Sequence, residues 1–293
     1  MNRREFIVGT TGAAMAVAAG TSAAAPRRGL KKAVNLNMAN VGKTVAEKFK
    51  AIKDAGFDGV EVDAPNSMNR DEVLKARDDS GLTIHGVVDS VHWGAPLSDA
   101  QKEVREKGLA GLIAAIEECK AYGGTNVLLV PAVVNKNVSY LEAYERSQAE
   151  IRKAIPKAKE LGITIAIENV WNHFLLSPLE MERYIDGFES ESVVSYFDIG
   201  NIITFGWPEQ WIRILNKRIR RLHIKEYSRK KRDEKGLWKG FDVELNEGDN
   251  DWPAVRKALT EIGYDGWCTA EVNGGDAKRL ADIKERMDKA LDG

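Results

Sequence analysis

The sequence predicts a (β/α)8 TIM barrel, and three observations predict it. Short apolar runs alternate with amphipathic stretches eight times after residue 30. Eight such units in about 260 residues match the size of this fold. No glycine-rich phosphate loop follows the first apolar run, which leaves a doubly wound sheet as the weaker architecture. One domain is therefore expected over residues 30–293, with no linker to split it and no repeat beyond the alternation itself.

Each unit is expected in order. AVNLNMA at 33–39 is the first strand, followed by a helix over 43–55. DGVEVD at 58–63 precedes the helix 70–80, and LTIHGVV at 82–88 precedes 101–122. TNVLLVP at 125–131 leads to 139–161, where Leu141, Tyr144, Ile151, Ile155, Ala158 and Leu161 keep one face apolar. ITIAIEN at 163–169 precedes 178–188, and VVSYFDI at 193–199 precedes 207–217. RLHIKEY at 221–227 and WCTAEV at 267–272 are followed by the helices 252–262 and 276–291. DAGFDG, DSG, YGG, LG and IGYDG supply turns at helix ends. The longest connection expected to be non-helical is 228–250, and long loops in compact domains are often lids.

Composition bounds the function. Of the 293 residues, 43% are hydrophobic and 30% charged, as in a globular protein with a sizeable core. A net charge of −1 with interleaved signs argues against a nucleic-acid partner. The densest basic run, RKKRDEK at 229–235, contains two acids and reads as a solvated loop. Arg3, Arg4 and Phe6, an apolar stretch to about Gly20 and the small residues Ala23 to Ala25 resemble a twin-arginine export signal over residues 1–25. A periplasmic location is expected, with no stable membrane insertion once the signal is removed. Cys119 and Cys268 are too few for a disulfide framework and read as buried thiols.

The chemistry lies at the strand ends, where the active site of such a barrel is found. Glu168 ends the fifth strand, Asp198 the sixth and Glu271 the eighth, while His223 lies near the end of the seventh. Three carboxylates converging on one rim repel one another unless a cation joins them. Oxygen-rich ligation with one imidazole suits Mn²⁺, with Co²⁺, Mg²⁺ or Zn²⁺ as alternatives. Such an ion, chelating a carbonyl and its neighbouring hydroxyl, acidifies the C–H between them, and paired carboxylates can then move the proton. Return to the other face gives an epimerase, return to the next carbon an isomerase, and loss of a β leaving group a lyase.

IEN at Glu168, FDIGN at Asp198, HIKE at His223 and Lys225, NEGDNDW at 246–252 and AEV at Glu271 carry a resemblance. Over 33–290 the chain resembles the sugar phosphate isomerase/epimerase family, with its xylose isomerase-like barrel. The resemblance implies an ion held by Glu168, Asp198, His223 and Glu271, with Glu168 and Glu271 doubling as the acid/base pair. In the related ketohexose 3-epimerases a substrate-contacting His lies three residues beyond the metal-binding Asp. Here that position is Asn201, which weakens free-ketose epimerisation specifically. Lys225, two residues beyond His223 on the same side of the strand, is a candidate to stabilise an oxyanion. His92, Trp93, Trp171, His173 and Asn201 are candidate substrate contacts, Trp238 a lid residue, and Glu61 a rim residue or a buried partner of Lys225 or an Arg. Trp207, Trp211 and Trp252 sit at helix starts, where packing is expected.

The expected function is a metal-dependent isomerase or epimerase acting on a keto-sugar through an enediolate. The alternative is a lyase or hydratase that eliminates the aglycone from 3-keto-glycosides, with which periplasmic relatives are associated. An endonuclease IV-like nuclease would need further His ligands, and the chain has four His in all. A non-catalytic sugar-binding protein would not need four ligands. A homo-oligomer is left open.

Overall fold

The computed structural model describes residues 29–293, so the expected export signal lies outside the described residues. Eight parallel strands run in sequential order around a closed barrel. They are β1 (Lys31–Asn35), β2 (Gly59–Ala64), β3 (Thr83–Asp89), β4 (Asn126–Leu129), β5 (Thr164–Glu168), β6 (Val193–Asp198), β7 (Ile219–Ile224) and β8 (Trp267–Ala270). The ring closes where β1 pairs with β8, from Lys31 opposite Trp267 to Val34 opposite Ala270.

The helices among the described residues are α1 (Val45–Asp54), α2 (Arg70–Ser80), α3 (Lys102–Tyr122), α4 (Tyr140–Leu161), α5 (Pro178–Asp186), α6 (Pro208–Leu215), α7 (Arg229–Lys235), α8 (Trp252–Glu261) and α9 (Ala277–Asp292). Local chemistry sets their ends. Thr44 with Glu47 and Ser139 with Glu142 form capping boxes that satisfy the first free amides of α1 and α4. Gly162 ends α4 at φ +68°, a left-handed conformation that costs glycine nothing. No described helix is long and apolar enough to cross a membrane.

Two expectations need correction. The connection 228–250 is not free of helix: RKKRDEK forms α7, and Leu237–Phe241 adds a 3-10 turn. The α7 residues have no apolar stripe, so periodicity misses them. Ser228 starts the helix instead, its Oγ accepting the Lys231 amide at 3.3 Å. The first strand also ends earlier than expected, because Leu36–Met38 turns into a 3-10 helix capped by Asn35.

Alternation along each strand sorts the side chains into two cores. Val60 and Val62 join the large apolar core that includes helix residues such as Phe49, Ile116, Ile151 and Ile212. Their neighbour Glu61 points the other way, into the barrel, which holds only a small apolar cluster around Leu128, Ala166, Val194 and Tyr196. Cys119 and Cys268 are free and buried.

Candidate metal centre

Period two also builds the site. From β7 upward, Arg221 lies at the barrel floor, His223 in the middle and Lys225 at the mouth. Arg221 bonds Asn126 and Thr125 below. At the mouth, Glu168 of β5, Asp198 of β6, His223 of β7 and Glu271, just past β8, each offer a ligand atom, all within 4.8 Å of one another. His223 Nδ1 lies 2.7 Å from Glu168 Oε1, 3.2 Å from Glu271 Oε2 and 3.9 Å from Asp198 Oδ2.

The residues fit a divalent ion. Asp198 Oδ2 is a buried oxygen without a hydrogen bond, while Glu271 Oε2, also buried, faces the cations Lys225 at 3.1 Å and His223 at 3.2 Å. A buried carboxylate oxygen left without a donor is costly. Ligands on opposite sides of an ion at about 2.0–2.2 Å stand about 4.0–4.4 Å apart, close to the span seen here. This cluster is a candidate divalent metal site. Without a cation its electrostatics are uneven. Burial pushes Asp198 well above the carboxylate range, against the pull of Lys225, and also raises Glu168, against the pull of His223. Around Glu271, burial is outweighed by His223 and Lys225, which hold the group well down. A dication among them favours the ionised form of all three.

Asparagines hold the rim together. Asp198 N donates to Asn169 Oδ1 at 2.9 Å, and Asn169 Nδ2 donates back to the Asp198 carbonyl at 2.9 Å. The Asn201 backbone donates to Asp198 Oδ1 at 2.7 Å, which leaves Oδ2 facing the cluster. Asn201 was expected to touch substrate, but its side-chain Nδ2 donates to the Asn169 carbonyl at 3.0 Å. Its visible work is to orient Asp198.

The other candidates fall in different places. Lys225 Nζ lies 3.1 Å from Glu271 Oε2, 3.8 Å from Asp198 Oδ2 and 4.8 Å over the Phe241 ring. Burial opposes its charge, but Asp198, Glu271 and Glu168 outweigh burial and raise its pKa, so it stays protonated. It faces a cavity of about 630 Å³ that Glu271, Phe241, Asn273 and Arg279 also line. Trp171 donates from Nε1 to the Asn201 carbonyl at 2.7 Å and meets Trp238 and Phe241 at 4.7 and 4.8 Å. His173, exposed and at φ +60°, lines with Trp171, Phe205 and Trp238 a second cavity of about 300 Å³.

His92 is buried, and its Nδ1 accepts the Val130 amide at 3.2 Å. Burial lowers its pKa to about 4, so it is neutral. Trp93 beside it is exposed. Trp211 and Trp252 pack as expected, whereas Trp207 is exposed, with Arg229 over its ring. Glu61 is neither a rim residue nor a partner of Lys225 or an Arg. It lies fully buried beneath the cluster, with Oε2 3.3 Å from His223 Nε2.

A single eight-stranded parallel barrel with a carboxylate-rich mouth defines the class of protein. The chain belongs to the xylose isomerase-like TIM barrel family, whose pattern matches residues 49–292. It is similar to an inosose dehydratase of Lacticaseibacillus casei, 24% identical over 149 residues, or 47% of this chain and 49% of that protein. The chain thus matches about half the length of that curated relative. Among solved structures it resembles a D-allulose 3-epimerase from Methylomonas sp., with TM-score 0.73, 17% identity, and coverage of 91% of this chain and 99% of that one. It also resembles a 3-keto-D-glucoside 4-epimerase from E. coli, with TM-score 0.75, 19% identity, and coverage of 89% and 99%. At such identities these likenesses establish the fold.

Proposed function

We propose that the protein is a divalent-metal-dependent enzyme that moves a proton next to the carbonyl of a keto-sugar, as an isomerase or epimerase. One observation carries the reading. A buried carboxylate oxygen without a hydrogen bond, Asp198 Oδ2, converges with the ligand atoms of Glu168, His223 and Glu271 at the mouth where such barrels react. A bound divalent ion, with Mn²⁺ favoured by the donor set, would polarise the carbonyl and acidify the adjacent C–H. Glu168 and Glu271 then serve as the acid/base pair, one taking the proton and the other returning it. Lys225, kept cationic, faces negative charge developing on the substrate oxygen. Trp171, packed against Trp238 and Phe241, forms an aromatic wall beside this mouth.

A second reading is supported by the dehydratase among the relatives and by the 3-keto-glucoside epimerase among the similar folds. In it, the same proton abstraction from a 3-keto-glycoside expels the β substituent and releases the aglycone. The reading of residues 1–25 as an export signal belongs with this proposal, since it places the enzyme where glycosides arrive unphosphorylated.

Incubating the Mn²⁺-loaded protein with a 3-keto-glucoside and with free ketohexoses in D₂O, followed by NMR, tests both readings. Deuterium entering next to the carbonyl supports proton transfer, and released aglycone selects the lyase. Neither exchange nor turnover on any keto-sugar would sink the proposal. Glu168→Gln and Glu271→Gln should each lower the rate by about 10²–10⁴. If both variants exchange at the wild-type rate, the acid/base pair lies elsewhere.

A further inference from the structure

The candidate ligands come from β5, β6, β7 and the end of β8, yet a fourth acidic residue reaches the cluster from across the barrel. Glu61 on β2 is fully buried, inside a barrel whose interior is usually filled by apolar side chains. Its two oxygens are both in use. Oε2 lies 3.3 Å from His223 Nε2, and Oε1 accepts the Tyr196 hydroxyl at 2.8 Å. The same hydroxyl lies 2.9 Å from Thr269 Oγ1, which in turn lies 3.0 Å from His85 Nε2. Glu61, His85, Tyr196 and Thr269 are each at most 2% exposed, so no bulk water can stand in for a missing partner.

The orientation of His223 gives this arrangement its meaning. Nδ1 is the nitrogen that faces Glu168, Glu271 and Asp198, and Nε2 is the one that faces Glu61. A neutral imidazole carries its proton on one nitrogen and a lone pair on the other. A dication held by Glu168, Asp198 and Glu271 would keep the proton off Nδ1, and the Glu61 carboxylate is the acceptor for the proton that a neutral imidazole then carries on Nε2.

We propose that Glu61, braced by Tyr196, is a positioning residue that holds His223 in its Nε2–H tautomer and so presents Nδ1 to the metal. The inference rests on the metal centre described above. It gives the buried charge on β2 a use that packing does not supply, since a purely structural position in the barrel interior would favour an apolar side chain. Removing a carboxylate that orients a ligating histidine typically costs 10–100-fold in metal affinity.

The test uses the full chain and Mn²⁺ alone, with no substrate. Affinity is measured by competition with a chromogenic chelator for wild type, Glu61→Gln, Glu61→Leu and Tyr196→Phe. Glu61→Gln keeps the shape but loses the acceptor charge, and should weaken binding about tenfold. Glu61→Leu should weaken it about a hundredfold, and Tyr196→Phe less than Glu61→Gln. In Zn²⁺-loaded protein with ¹⁵N-labelled histidine, the His223 Nε2–H resonance should be protected from exchange in wild type and lost in Glu61→Leu. A merely structural Glu61 would lower the melting temperature without changing either readout. If Glu61→Leu does not fold, the near-isosteric Glu61→Gln decides the matter. Affinity of Glu61→Gln within twofold of wild type overturns the inference while leaving the metal centre intact. Wild-type protein that binds no Mn²⁺ overturns both.

Discussion

Asp89 ends β3 almost wholly buried, and its one hydrogen bond of note is the Val91 amide at 3.0 Å. Burial pushes its pKa up to about 7. Between the ordinary carboxylate value near 4 and pH 7, the folded protein holds a proton that the unfolded chain has lost. Stability therefore falls as pH rises through this window, by at most about 1.4 kcal/mol per pH unit, and levels off above it. Asp89→Asn removes the penalty. Its stability relative to wild type, from denaturant unfolding, should grow from pH 4 to 7 and then stay constant. Parallel profiles would show that Asp89 is already ionised. At the ligands, Asp198→Ala and His223→Ala should lose bound metal while the barrel stays folded, because the large apolar core lies outside the ring. Retained metal at wild-type occupancy would remove that residue from the ligand set. Glu168, Asp198, His223 and Glu271 were legible in the sequence because a charge at the end of an apolar strand needs a reason, and four such strands adjoin. The partner of Glu61 was not legible, since His223 lies 162 positions away and only barrel closure brings them together. Nor was the use of Asn201, whose amide could have pointed into the pocket as easily as to Asn169.

The segment after β7 shows what an element owes to its anchors. Glu226 is buried and accepts the amides of Asn246 and Asn250 and the indole of Trp252, at 3.0, 3.1 and 3.1 Å. Ser228 N donates to the Gly240 carbonyl, and Tyr227 Oη to that of Leu237, both at 2.8 Å. These bonds fold 228–250 back over the mouth and place Trp238 against Trp171. A Cβ at Gly240 would lie 2.3 Å from the Tyr227 ring, so Gly240→Ala must push the strap away. It should destabilise by about 1–3 kcal/mol and raise KM, with metal affinity unchanged. A KM equal to wild type would deny the strap a part in substrate binding. The sequence marked this connection as long but gave no hint of α7, because its residues are polar on every side and its start depends on Ser228. Strand periods elsewhere were easier to read, as both faces of each strand are buried by the ring and by the helices around it.

At the scale of the whole molecule, closure ties the two ends of the barrel together. β1 pairs with β8, and the buried Lys32 of β1 forms ion pairs with Asp288 and Asp292 of α9. The four ligands are spread over half of that ring, so an ion bridging them stabilises the folded chain as a unit. At an ion concentration one hundred times Kd the gain is about 2.7 kcal/mol. Chelation should lower Tm accordingly, and added Mn²⁺ should restore it. A melting temperature indifferent to chelator, in protein shown to bind the ion, would mean that the ligands also engage it in the unfolded chain. The alternation of eight units made the barrel legible from end to end, because each βα pair is short and separated by turn residues.

Trp171 has a consequence of a different kind. Its indole sits between Trp238, Phe241 and Tyr227, with Phe205 slightly farther off, at the border of the two cavities. Trp238 is largely open to solvent, so anything that fills the mouth must change the polarity around at least one of these two indoles. The molecule thereby carries its own optical gauge of occupancy. Adding a keto-sugar to the Mn²⁺-loaded protein should shift the emission maximum, Trp238→Phe should remove most of the shift, and Trp267→Phe, buried at the start of β8 and away from the mouth, should leave it intact.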